Sequence, residues 1–197
     1  MTSPETLRSI LIGEPWYWHY GSSQITFHEN GTGVLLCSAE LSVWIAAEFD
    51  WKLLSNPDCL DQIVDLDSKA RRSEIISELN VEITLTARQP PGYNLAGHTL
   101  NEALLTDQAF MPKSYNLKLE QGRFVTQFDT RNKVHSGDQF ALRLAFDPSP
   151  FPPGEEWKQP NSILDVMKFW EWTDFASRRL PDKEPGLWDR FTGLFQG

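Results

Sequence analysis

Two carboxylates and one guanidinium, set among aromatic residues, are where chemistry would start in this chain. Glu48 and Asp50 stand two apart in the alternating run from Val43 to Leu54, so they share a strand face with Lys52. Turned into an apolar interior, a desolvated carboxylate there would have a raised pKa. It could then move a proton near neutrality, as cyclisation, epimerisation or dehydration requires. Turned to water, the same alternation is an ordinary solvated face. The opposite face carries Val43, Ile45, Ala47, Phe49, Trp51 and Leu53, and is the natural interior. Arg143, between Leu142 and Leu144, is the third candidate: inside a cavity its fork would take a ligand carboxylate or polarise a carbonyl. Trp16, Trp18, Trp44 and Trp51, with Phe49, Phe128 and Tyr115, are large enough to wall an apolar pocket or to fill a core.

Other chemistries find little support. His19, His28, His98 and His135 fall on strand ends and loops with no partner at metal-ligand or nucleophile spacing, and neither Gly-X-Ser-X-Gly nor His-Glu-X-X-His occurs. No metal and no cofactor are expected. Asp65-Leu66-Asp67 opens like a calcium loop, but Lys69 and the missing glycine defeat that pattern. Cys37 and Cys59 read as unpaired thiols. A net charge of -9 argues against nucleic-acid phosphate and anionic lipid, which need clustered Lys and Arg. No run reaches the length of a membrane helix, and the charged start before Gly13 does not read as an export signal. A cytoplasmic setting is therefore expected.

The elements that must position these residues are strands. After Ile25-Thr26-Phe27 and the Asn30-Gly31 turn, period-two alternation recurs at Leu79 to Leu85, Tyr115 to Leu119, Phe124 to Phe128 and Phe140 to Phe146. Glu120-Gln121-Gly122 and Ser136-Gly137-Asp138 read as hairpin turns between them. Seven to nine such strands form an antiparallel meander, which either folds into a sandwich or closes into a barrel without exposed edges. Ser55 to Arg72 reads as a loop or short helix over one barrel mouth, and Gln89 to His98 as a second long loop.

Four prolines between Asp147 and Gly154 end the sheet. Beyond them, Asn161 or Ser162 can cap a helix that stops before Pro181. A last helix from Pro185 aligns Leu187, Trp188, Phe191, Leu194 and Phe195 in one apolar stripe. The expected organisation is a single domain: a barrel over about 10–147, a Pro-rich connector at 148–160, and C-terminal helices over 161–197 packed on the barrel.

Gly13-Glu14-Pro15-Trp16, the strand Ile25 to Phe27, the Asn30-Gly31-Thr32-Gly33 turn and the later strands resemble the calycin superfamily, the lipocalin-like barrels; the family's Gly-X-Trp is one residue shorter. Ala109-Phe110-Met111-Pro112-Lys113 and the proline-rich stretch from Phe146 also look like a group of small fungal proteins. The resemblance implies an all-β, antiparallel lipocalin-like barrel with Arg143 packed across Trp16 or Trp18. It also implies an interior for a terpenoid, polyketide or lipid-like molecule. Three expectations follow: binding of a small hydrophobic metabolite; a cofactor-free isomerase or cyclase of fungal secondary metabolism, using Glu48 and Arg143; and a protein-interaction module using the C-terminal apolar helix.

Overall fold

The computed structural model describes residues 5–39, 42–66, 72–93, 101–134, 137–158 and 162–181. The last stripe of apolar residues, from Leu187 to Phe195, lies outside them, as do His98 and His135.

The chain opens with β1 (Glu5–Thr6) and α1 (Leu7–Gly13). Thr6 and Ser9 cap each other's backbone N–H at the start of α1, which puts Leu7, Ile10 and Leu11 on one buried stripe. Four strands follow in close order: β2 (Trp16–His19), β3 (Ser23–Phe27), β4 (Thr32–Ala39) and β5 (Ser42–Leu53). Gly31, at φ 79°, makes the turn before β4 that an L side chain would strain. Gly33 lies directly beneath the Phe49 ring, where an added Cβ would come within 2.1 Å of the ring.

After a turn of 3-10 helix at Pro57–Asp61 come β6 (Ile63–Val64), which pairs with β1, and then β7 (Glu74–Leu85) and β8 (Lys113–Phe124). The described residues continue through α2 (Gln127–Arg131), β9 (Phe140–Asp147), α3 (Ser162–Met167) and β10 (Asp174–Arg179). Eight strands close into one antiparallel barrel in the order β10-β2-β3-β4-β5-β7-β8-β9. Along each wall, alternate residues bury an apolar side chain, as the period-two runs require: Ile45, Ala47 and Phe49 on β5, Val81 and Ile83 on β7, Leu142 and Leu144 on β9.

Three expectations need correction. The Glu120-Gln121-Gly122 turn and the strand from Phe124 to Phe128 are not there. Instead β8 runs unbroken to Phe124 through a register shift, and Thr126 caps α2, which carries Phe128. The helix that was to run from Ser162 towards Pro181 ends at Met167, and residues 174–179 form a strand. Barrel closure decides this: β10 finds β9 on one side and β2 on the other, so both edges of a short, weakly patterned segment are paired. Accordingly, β2 meets β10 and not the strand that holds Arg143.

One irregularity bears on the candidate carboxylates. Cys37 faces Ile45 and Ser38 faces Val43, so Trp44 is an extra residue on β5. The bulge lies before Glu48 and leaves that residue on the outer face. Past the reach of β7, the free side of β5 is completed by Asn101, fully buried at φ 61°. Its amide oxygen accepts from Ala46 N–H at 3.0 Å and its amide nitrogen donates to Ala46 C=O at 2.7 Å, imitating a strand neighbour.

Candidate functional site

The nominated aromatics divide into two groups. Phe49 and Trp51 belong to an inner wall with Phe27, whose ring meets theirs edge-on at 5.5 and 5.2 Å. Trp51 Nε1 donates to the Thr32 carbonyl at 3.0 Å. Trp16, fully buried, is held by α1: its Nε1 donates to the Leu11 carbonyl at 3.0 Å.

The other group is one continuous chain of rings across the opposite end of the barrel. Phe128 meets Trp18 edge-on at 5.5 Å, and Trp18 stacks on Trp172 at 3.4 Å with the planes 5° apart. From Trp172 the chain passes through Phe151 (5.4 Å), Phe175 (6.1 Å) and Phe146 (5.3 Å) to Tyr115 (6.2 Å). A branch leads through Phe169 (4.7 Å) to Trp157 (5.5 Å) and Trp44 (6.0 Å). Phe128, Trp18, Tyr115 and Trp44 are therefore brought together, by partners that the sequence reading did not nominate. Their signal was available in the aromatic density after the prolines: Phe151, Trp157, Phe169 and Trp172 recur over a stretch otherwise read as connector and helix.

Polar ties hold this assembly at a few points. The Gln127 side-chain oxygen accepts from Trp18 Nε1 at 2.7 Å and from Thr173 N–H at 2.9 Å. Ser149 Oγ donates to the Trp172 carbonyl at 2.7 Å and accepts from Phe151 N–H at 3.2 Å. The His19 ring lies flat on Phe128 at 3.8 Å, and burial lowers its pKa against the opposing pull of Asp129. Burial and the nearby Glu156 raise Tyr115 far above the ordinary phenol, so it stays protonated; Glu156 itself is ion-paired with Lys113. Among the described residues, two hydrogen-bonding groups within this end are buried without partners: Trp44 Nε1 and Thr106 Oγ1. Thr106 follows Leu105, which bridges to Trp157.

The two nominated catalytic residues lie elsewhere. Glu48, on the outer face, accepts from Arg88 Nε at 2.9 Å, and Asp50 takes the same guanidinium at 2.6 Å. Those two hydrogen bonds raise the Arg88 pKa. Arg143 also points outward. It does not reach Trp16 or Trp18: its guanidinium is bound at 2.7 Å to Glu120, a buried carboxylate that also accepts from Ser73 Oγ at 3.0 Å. The expected contact with an aromatic face is made instead to Phe124, at 4.8 Å. The physical reason is register. Arg143 faces Glu120 on β8 and Ala176 on β10, so the inserted strand β10 separates it from β2.

Cys37 is fully buried and its thiol is pushed well above the ordinary value by desolvation, which makes it an inert core residue. Among the described residues, no group of three or more His, Cys, Asp or Glu side chains is arranged to hold a metal ion. No described helix is long and apolar enough to cross a membrane. No family model matches this chain, no curated protein matches its sequence, and no solved structure matches its fold.

Proposed function

We propose that the barrel holds a small apolar molecule bearing one oxygen acceptor, at the aromatic end where Trp44, Phe169 and Trp157 meet. The observation that carries this reading is the Trp44 indole N–H, buried without a partner among aromatic rings. A buried donor left unpaired costs about 1–3 kcal/mol, and a carbonyl or hydroxyl oxygen on a bound molecule would return it. Thr106 Oγ1, equally unpaired, gives a second polar point at the same end. The surrounding helical segments are each only one or two turns long. Terpenoid, polyketide and lipid-like molecules, the classes that the calycin resemblance implies, have this combination of apolar body and single oxygen. No observation among the described residues favours isomerisation or cyclisation over simple holding.

Intrinsic tryptophan emission should respond to an apolar ketone, and Trp44→Phe should weaken that ketone about fivefold to tenfold while leaving the parent hydrocarbon unaffected. Unchanged emission with every apolar probe, together with no apolar molecule co-purifying with the full chain, would overturn the reading.

A further inference from the structure

The outer wall of the barrel carries a second, polar feature, on the strands that also carry Tyr115 and Phe146 of the aromatic end. A groove of about 590 Å³ lies on the outside of β7, β8 and β9, and a neighbouring groove of about 440 Å³ shares Asn80, Asn116 and Asp147 with it. Strand register explains why these three stand together. Asn80 is opposite Asn116, and Asn116 is opposite Asp147, so two amides and a carboxylate form one row across three strands. The next row is Glu78, Lys118 and Ala145. The row continues past Ala145 to Asp174 on β10, and the Ala145 methyl group, set between the longer Lys118 and Asp174 side chains, makes the wall concave. From strand spacing the two rows cover roughly 10 Å by 7 Å.

None of the side chains of Asn80, Asn116, Asp147, Glu78 or Lys118 is engaged by a hydrogen bond or ion pair within the described residues. On the same face, Glu48, Asp50, Lys52 and Glu82 are all ion-paired. The unengaged set is nearly balanced in charge, with two carboxylates and one ammonium, and this disfavours a phosphate or other anion. Asn116 and Lys118 on β8 are paired on both sides, so no peptide can add as a strand at the middle of this wall, whereas over Glu74–Leu79 β7 pairs with β8 alone. Recognition there falls to side chains. Adjacent amides and a carboxylate present alternating donors and acceptors, the pattern that brackets vicinal hydroxyls. Exposed Leu54 beside Pro148, at one end of the second groove, supplies an apolar patch for the C–H face of a ring.

We infer that this outer groove binds a short neutral saccharide through Asn80, Asn116 and Asp147. The test is calorimetric titration of the full chain with maltose, cellobiose and lactose, with inorganic phosphate as a separate arm. One disaccharide should bind with a Kd of about 1 mM or tighter, and the double variant Asn80→Ala, Asn116→Ala should weaken it at least about tenfold. Asp147→Ala should weaken it as well, while Lys52→Ala, elsewhere on the outer face, should leave it unchanged. All four positions are exposed, and circular dichroism would verify that each variant retains the fold. Absence of binding by all three disaccharides at about 10 mM would overturn the inference. So would phosphate binding in their place, or equal affinity in the double variant.

Discussion

The barrel is closed at its two ends by different chemistry. β2 starts at Trp16, beside α1, and ends at His19, beside Phe128, so a single short strand touches both closures. At the first end, Leu7, Ile10, Leu11 and Leu60 are buried aliphatic side chains, and Trp16, which α1 holds there, has its N–H satisfied by Leu11. At the second, a chain of rings is held by Gln127 and Ser149, and two polar groups are left without partners. Beside α1, Glu5 Oε2 is buried without a hydrogen bond but is met by the Arg178 guanidinium at 2.8 Å. The second end retains unmet hydrogen-bonding capacity, which is the physical mark of a place that something else can occupy.

The sharpest way to break this contrast is to truncate one anchor at each end. Trp172→Ala removes the ring that Trp18, Phe151 and Phe169 all touch, and should cost about 3–5 kcal/mol; Leu11→Ala should cost about 2–5 kcal/mol. Hydrogen exchange should separate them: Trp172→Ala should speed exchange in α2 and β10, and Leu11→Ala in β2 and β3. Uniform acceleration in both variants would show that the two ends are one cooperative unit.

A smaller effect is expected from Ser149→Ala. It leaves the Trp172 carbonyl and the Phe151 N–H short of a partner in a buried place, and should lower stability by about 1–3 kcal/mol in urea titration.

The smallest effect is a pH dependence confined to the aromatic end. Burial lowers the His19 pKa, so the unfolded chain takes up the proton first. The stack on Phe128 is therefore fully stable above the ordinary histidine value of about 6.5, and it loses stability as pH falls through the lower folded value. Titration of the His19 ring by NMR should show this drop, and His19→Gln should remove it; an unshifted His19 would dissolve the distinction between the ends on this point.

Much of the wall was legible in the sequence because strand alternation is local. Ile45 to Leu53 reads correctly as an inner face, and Leu79 to Leu85 likewise, since successive side chains must take opposite sides of a strand; Val43, across the bulge at Trp44, falls out of that alternation. For the same reason Glu48 falls outside, with the one bulge placed where it does not reverse it. The aromatic end was only half legible. Trp18, Trp44, Tyr115 and Phe128 could be nominated by type, whereas Trp172 and Phe151, which join them, sit in segments with little periodicity.

Sequence by itself determined an all-β antiparallel meander and the inward face of its long strands, because apolar burial every second residue leaves little choice; closure into a barrel was settled by the pairing of β10. Tertiary structure decided the rest. Asp174–Arg179 is too short and weakly patterned to announce a strand, and it became one because closing the sheet satisfies its backbone on both sides. That insertion took Arg143 away from Trp16 and gave it to Glu120. The row of Asn80, Asn116 and Asp147 has the same origin: residues distant in the chain become neighbours only through cross-strand register.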